Sequence, residues 1–273
     1  MHFLLLGIVL CLVATCAVIC SAEEQVKSPA GKIAFMFMTR GVMPLEEVWH
    51  EFFTDPRTSP SEYSIYLHPT MRGRHKQKGS VGPGSFFAGK EIDNVVEVHY
   101  GGWTFTHAML NLLETALQDK DNQFFCMLTD SCIPLMPFPQ WRRVLLHNGK
   151  SVINSCPMSI AEGSERDTRW SPKMDNLFKH EHWRKSSSWS ALTRKHAELV
   201  VKPYAFTDAF KHARISDEHY IPSVIAYHGL DKETTCNDGY MYVYWENLSA
   251  AHPSFHTSDM IDEELFFKKF KGM

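Results

Sequence analysis

Two adjacent carboxylates, Asp217 and Glu218, are the residues of this sequence with the clearest potential for chemistry. They follow Ser216 and precede an apolar run, Ile221 to Ala226. Helices commonly begin this way, with a serine N-cap and acids in the first turn, where the helix dipole favours negative charge. Such a start can also present one carboxylate to a cleft as a general base. The segment alone leaves both interpretations open.

A second polar segment runs from Trp183 to Trp189 and joins two indoles to Arg184, Lys185 and three serine hydroxyls. Guanidinium and ammonium groups bind the oxygens of phosphates, and amphipathic indole rings suit binding surfaces. The segment predicts either a loop that contacts an acceptor or a diphosphate, or the approach to a helix with a packed tryptophan.

The sequence gives little support for a metal site, for the common nucleotide-binding and hydrolase motifs, or for nucleic-acid binding. Asp119 and Asp121 form an Asp-x-Asp pattern, but they precede a predicted strand, at the end of the sheet opposite to the usual ligand side. His180 and His182 lack a positioned third metal ligand. The motifs of dinucleotide-binding enzymes, P-loop NTPases and α/β-hydrolases are absent. The formal net charge of -3 argues against a nucleic-acid partner.

The amino terminus predicts entry into the secretory pathway. Residues 3–22 contain no charged side chain and end in small residues, as a signal peptide or a signal anchor would. We therefore divide the chain into a leader, residues 1–22, a short stem, residues 23–31, and one catalytic domain, residues 32–273. The domain is long enough for a single large α/β unit.

Cysteine usage agrees with an oxidising compartment. Three of the seven cysteines belong to the leader, and four remain: Cys126, Cys132, Cys156 and Cys236. An even number permits disulfides, with three possible full pairings. Asn247 begins an Asn-Leu-Ser sequon, which predicts N-glycosylation if the domain is lumenal.

Apolar runs bounded by turn residues predict an alternation of strands and helices. The predicted strands are 32–39, 63–68, 94–99, 122–129 and 240–245. The predicted helices are 45–53, 105–117, 138–147, 191–201, 205–213 and 259–270, and a loop covers 70–84. This order predicts an α/β fold with a mainly parallel sheet flanked by helices. Ligands are then expected beyond the carboxyl ends of the strands.

Several of these stretches, taken together, resemble one family, the core-2/I-branching glycosyltransferases (glycosyltransferase family 14), especially its plant-type members. The similar blocks are 32–41 with Pro44, Leu45 and Trp49, then 63–68, 128–135, 183–189, 216–222, Trp245 with His252 and Pro253, and 265–270. They occur in the same order as in the family and extend from about Lys32 to Phe270.

The resemblance implies a GT-A-like Rossmann-type fold and an inverting, metal-independent transfer from a UDP-sugar to a glycan or glycoprotein hydroxyl. It implies that Glu218 is the catalytic base and that Lys269, with Lys268, binds the diphosphate. Further expectations are a nucleotide pocket from Thr39, His68, Asp130 and Cys132, and acceptor contacts from Arg184, Lys185 and Trp189. No cofactor beyond the donor is expected. The family also implies a Golgi type II membrane protein, or a secreted one if the leader is cleaved.

One position departs from the family pattern. A basic residue that helps to bind the diphosphate normally follows the late tryptophan, whereas Glu246 and Asn247 follow Trp245 here. The alternative to an enzyme is therefore a catalytically inactive lumenal protein that binds a glycan or a nucleotide. The donor sugar stays open among GlcNAc, xylose and glucuronic acid.

Overall fold

The computed structural model describes residues 31–69, 71–72, 77–78, 81–147, 149–157, 167–236, 241–243 and 246–247. All of these residues belong to one compact unit, Gly31–Met273. The leader, the predicted helix at 259–270 and residues 240, 244 and 245 of the predicted strand at 240–245 lie outside the described residues; residues 241–243 are described and do not form a strand. The division of the chain into leader, stem and domain therefore stays a prediction.

A four-stranded sheet organises the domain. Its strands, in spatial order, are β2 (Tyr63–Pro69), β1 (Lys32–Thr39), β5 (Asn122–Thr129) and β6 (Ala191–Thr193), and only β6 is antiparallel to its neighbour. β3 (Met71–Arg72) and β4 (Gln77–Lys78) form a separate antiparallel pair inside the segment that was predicted as a loop. The predicted α/β class with a mainly parallel sheet is confirmed.

Helices pack on the sheet where apolar periodicity predicts them. These are α1 (Glu46–Thr54), α2 (Trp103–Leu117), α3 (Phe138–His147), α4 (Arg194–Val200) and α5 (Tyr220–Tyr227). The predicted helix at 191–201 begins with the short strand β6 before α4. The segment 205–213 is helical, but it forms a 3₁₀ helix, Thr207–His212, and not an α-helix.

The strand that was predicted at 94–99 is absent from the described structure, and that prediction is wrong. On the side of β2 that faces away from β1, the chain before this segment forms one isolated bridge, between Leu67 and Glu91, and makes no further strand pairing. The amide of Val96 donates to Nε2 of His68, a side chain, at 3.1 Å. The valines that suggested a strand are half-buried against the core around α2.

The two faces of the sheet bury separate clusters. Phe35 points to one of them, where its ring contacts the aromatic rings of Trp49, Phe52, Phe53, Phe138 and Trp141. Ala34 and Met36 point to the other face and pack with α2 and α5. Because side chains alternate along a strand, a single fully apolar run supplies both cores.

We expect Phe35→Ala to lower the free energy of unfolding by about 3–5 kcal/mol, because it removes a buried ring from a packed cluster. Urea unfolding of the purified protein measures the change. Leu177→Ala, at a side chain that is 50% exposed, is the matched control and should stay within about 0.5 kcal/mol of wild type. A loss below about 1 kcal/mol in Phe35→Ala would contradict this packing.

A buried histidine makes the stability of the fold depend on pH. His196 of α4 is fully buried, with Nδ1 2.7 Å from Oγ of Ser151 and Nε2 3.6 Å from Oε2 of Glu233. Burial lowers the pKa of His196 below its ordinary value. Below a pH of about 6.5 the unfolded chain therefore takes up a proton at this residue that the folded chain does not, and stability falls as the pH falls.

We expect the free energy of unfolding to drop between pH 7.5 and pH 5.5, and to drop less in His196→Gln, which cannot titrate. Urea unfolding at the two pH values measures both differences. His212→Gln, at an exposed residue that ends a 3₁₀ helix, should keep the dependence of the wild type. An equal drop in wild type and His196→Gln would remove His196 as the cause.

Candidate active site

Glu218 lies in a 3₁₀ turn, Ser216–Glu218, that precedes α5. Ile215 directly before the turn has a φ of 51° and a ψ of 51°, the left-handed region that a β-branched residue rarely adopts. Two backbone hydrogen bonds hold this conformation: Ile215 donates to the carbonyl of Gly101, and Arg214 donates to the carbonyl of Arg169. The turn is thus fixed against the start of α2 and against the segment around Arg169.

The predicted serine N-cap is wrong. Ser216 lies inside the 3₁₀ turn and makes no capping bond, and α5 begins at Tyr220 without a side-chain cap. The hydroxyl of Ser216 is buried and lies 2.8 Å from that of Thr106 on α2. A tertiary contact takes the hydroxyl that the helix start would otherwise use.

Two cations hold the carboxylate of Glu218. Nη1 of Arg169 lies 2.5 Å from Oε2, and Nζ of Lys185 lies 3.1 Å from the same oxygen. The side chains of Glu218 and Lys185 are 25% and 21% exposed, so the carboxylate is accessible from the surface. An ionised carboxylate at an accessible position can accept a proton from a bound hydroxyl.

The segment from Trp183 to Trp189 is built around the same turn. The amide of Ser186 donates to the carbonyl of Glu218 at 2.9 Å, and Oγ of Ser188 donates to Oδ2 of Asp217 at 2.6 Å. The ring of Trp183 is buried and stacks on that of His219, with centroids 4.0 Å apart and planes 6° from parallel. The segment therefore packs as a structural loop and also brings a cation to the carboxylate.

The three residues predicted to bind the acceptor have different surroundings. Lys185 contacts Glu218, as described above. The guanidinium of Arg184 donates to the backbone carbonyls of Ser155, Glu181 and Trp183, and burial lowers its pKa. Trp189 is half-buried, with its ring edge-on to Phe105 of α2 at 6.1 Å. Among the three, the structure brings Lys185 to the reactive carboxylate.

Arg169 is the functional candidate that the sequence did not reveal. It lies 49 residues before Glu218 in a segment without apolar periodicity, and its side chain is only 6% exposed. A lone arginine in such a segment carries no pattern that would separate it from surface arginines. Only the tertiary structure brings it to Oε2.

The residues predicted for the nucleotide pocket lie at the carboxyl ends of the parallel strands. Thr39, the last residue of β1, accepts a hydrogen bond from the amide of Gly41, and His68 on β2 lies opposite Met38, the residue before Thr39. Asp130 follows β5 and accepts hydrogen bonds from the amide and the guanidinium of Arg40. The side chain of Arg40 is 64% exposed, which leaves it open to solvent at this end of the sheet.

Cys132 lies beyond the same strand. Its carbonyl accepts a hydrogen bond from Nε1 of Trp49, and burial raises the pKa of its thiol. Its Sγ lies 3.2 Å from Oγ1 of Thr129, so the turn after β5 is closed on itself. Lys268 and Lys269, the predicted diphosphate ligands, lie outside the described residues.

The Asp-x-Asp pattern lies at the opposite end of the sheet, as predicted. Oδ2 of Asp119 pairs with Nζ of Lys32 at 2.9 Å, at the amino end of β1. Lys32 lowers the pKa of Asp119 by a hydrogen bond to its carboxylate. Throughout the described ranges, no group of three or more His, Cys, Asp and Glu side chains is placed to hold a metal ion.

The structure describes some of the features that relate to the predicted secretory location: the cysteines and the first residue of the sequon. Cys156 and Cys236 form a disulfide, whereas Cys126 and Cys132 are free thiols, so the four cysteines form one bond and not one of the three full pairings. Asn247 is exposed, but the rest of its sequon lies outside the described residues. No helix within the described part of the chain is both long and apolar enough to cross a membrane.

Comparisons with known proteins agree with these features. A protein named glycosyltransferase BC10, from Oryza sativa subsp. japonica, is 31% identical to this chain over 240 residues. That similarity covers 78% of this chain and 58% of the relative, so the chain spans somewhat over half the length of the curated protein it matches. The sequence model of the Core-2/I-Branching enzyme family matches residues 33–269. The chain therefore belongs to the Core-2/I-Branching enzyme family.

Proposed function

We propose that this protein is an inverting glycosyltransferase, with Glu218 as its general base. The observation that carries the proposal is the environment of Glu218: an accessible carboxylate, paired with Arg169 and Lys185, in the block that resembles the family's catalytic segment. A carboxylate oxygen at such a position can take the proton of a bound hydroxyl.

In the proposed reaction, the acceptor hydroxyl transfers its proton to the carboxylate of Glu218 while its oxygen attacks the anomeric carbon of the donor sugar. The bond between that carbon and the β-phosphate oxygen breaks, and its electron pair leaves on UDP. Attack from the face opposite to the leaving group inverts the anomeric configuration. The negative charge that develops on UDP must be stabilised in the site.

Two sets of residues would bind the UDP-sugar. Thr39, His68, Asp130 and Cys132 adjoin the carboxyl ends of the parallel strands, where nucleotides bind in such sheets. Lys269, with Lys268, would neutralise the diphosphate. We propose a metal-independent reaction on the grounds that the Asp-x-Asp pattern pairs with Lys32 at the opposite end of the sheet.

The acceptor would be a glycan or glycoprotein in the secretory pathway, and the donor sugar GlcNAc, xylose or glucuronic acid. The disulfide between Cys156 and Cys236 supports an oxidising lumen, because such bonds are rare in the cytosol. We propose a Golgi type II membrane protein, or a secreted enzyme if residues 1–22 are removed. A screen of the three UDP-sugars against arabinogalactan and mucin-type acceptors addresses donor and acceptor together.

A second candidate function is a catalytically inactive protein that binds a glycan or a nucleotide. The observation that favours it is the pair Glu246 and Asn247, which stands where the family pattern has a basic residue. Calorimetry separates the two candidates: UDP binding without turnover across the acceptor screen favours the inactive protein, whereas turnover of one UDP-sugar favours the enzyme.

We expect Glu218→Gln to lower kcat by about 10²–10⁴-fold, because the amide cannot accept the acceptor proton. Release of UDP in the presence of donor and acceptor measures the rate. Glu51→Gln, at an exposed residue of α1, is the matched control and should keep wild-type activity. Activity of Glu218→Gln within tenfold of wild type would remove Glu218 as the base.

We expect Lys269→Ala to weaken UDP binding by roughly 10-fold or more, because it removes a charge-assisted contact to the diphosphate. Isothermal titration calorimetry with UDP measures the dissociation constant. Lys120→Ala, at an exposed residue near the amino ends of the strands, controls for the loss of a positive charge. Equal UDP affinity in Lys269→Ala and Lys120→Ala would show that another cation binds the diphosphate.

A further inference from the structure

The two oxygens of the Glu218 carboxylate have different surroundings. Arg169 and Lys185 both contact Oε2, at 2.5 Å and 3.1 Å. Among the residues that the structure describes, the hydrogen bond to this carboxylate reaches Oε2 and none reaches Oε1. The carboxylate therefore has one oxygen that is held by cations and one that is open to an incoming hydroxyl.

The side chains of the two cations differ in burial and in conformational freedom. The side chain of Arg169 is 6% exposed, and its backbone carbonyl accepts a hydrogen bond from Arg214, just before the turn that carries Glu218. The side chain of Lys185 is 21% exposed and ends in a single ammonium on a flexible stem. Arg169 thus belongs to the fixed part of the site, whereas Lys185 has more freedom to move.

Resting on the proposed function, we propose that Arg169 is a positioning residue for the base. Its guanidinium fixes Oε2, so that Oε1 is the atom that takes the proton of the acceptor hydroxyl. The proton moves to Oε1 as the new bond to the anomeric carbon forms, and the electron pair of the broken bond leaves on UDP. Arg169 itself touches no reacting atom in this step.

The test compares Arg169→Met with wild type in kcat, in KM for the UDP-sugar and in the crystal structure of the turn that carries Glu218. We expect kcat to fall roughly 10- to 100-fold, because the base loses its position. KM for the donor should stay within about twofold, because the proposed role acts on the base and not on donor binding. The carboxylate of Glu218 should be displaced or dispersed in the structure of the variant.

Three further variants sharpen the comparison. Arg169→Lys keeps a cationic donor and should recover kcat in part but not in full, because an ammonium lacks the planar fork of a guanidinium. Lys185→Met removes the more mobile cation and should lower kcat less than Arg169→Met does. Lys179→Met, at a cation whose side chain is 78% exposed, should leave kcat and KM unchanged.

A fall in kcat that Arg169→Lys does not recover at all would overturn the proposal, because a merely structural role predicts that result. Thermal melting and UDP calorimetry show whether Arg169→Met is folded, and Arg169→Lys carries the same comparison if it is not. If wild type turns over no UDP-sugar, the proposed function fails separately. Crystal structures then decide the positioning role: a Glu218 carboxylate unchanged in Arg169→Met overturns it, and a displaced or dispersed one supports it.

Discussion

The negative charge of Glu218 is the constraint around which the candidate active site is built. A partly buried carboxylate is costly unless it is paired, and here two separate segments of the chain supply the partners, Arg169 and Lys185. Backbone hydrogen bonds then fix both segments to the turn that carries Glu218, from Ser186 and from Arg214. The left-handed conformation of Ile215 costs conformational energy, and this dense set of contacts offsets it.

The sheet divides the domain into two ends with different electrostatics. At the amino ends of the strands, charged side chains are bound by other groups of the protein. Lys32 pairs with Asp119, and Arg194 donates to the carbonyls of Asn122 and Asp119. At the carboxyl ends, Asp130 holds Arg40, whose side chain remains largely exposed. Since all three parallel strands end on that side, their loops converge there, and the guanidinium of Arg40 is exposed beside the buried side chains of Thr39, His68 and Asp130.

Much of the fold could be predicted because β1 and β5 contain continuous apolar runs, residues 33–38 and 124–128, a pattern that marks strands buried on both faces. The segment 94–99 has the same kind of residues, yet it is not a strand, because an apolar run shows burial and not pairing. Val96 instead gives its amide to His68. The pairing of backbone groups between strands depends on the tertiary structure, and the local sequence pattern does not determine it.

The candidate site was predictable to a smaller extent. The ordered blocks identified Glu218, and the loop that contains Lys185 was expected near the acceptor. Arg169 was not found, because a residue that pairs across 49 positions leaves no spacing signal. The serine cap was wrong for a related reason: Ser216 satisfies the local rule for an N-cap, but its hydroxyl meets Thr106, which lies on another helix.

The two adjacent carboxylates show how one turn separates two environments. The carboxylate of Asp217 accepts a hydrogen bond from Ser188, and burial raises its pKa. That of Glu218 lies among cations and remains accessible. Because consecutive residues of a turn point in different directions, neighbours of the same chemistry have different contacts: Asp217 binds Ser188 of the loop, and Glu218 pairs with Arg169 and Lys185. Sequence alone offers both acids equally, and the surroundings of each side chain decide between them.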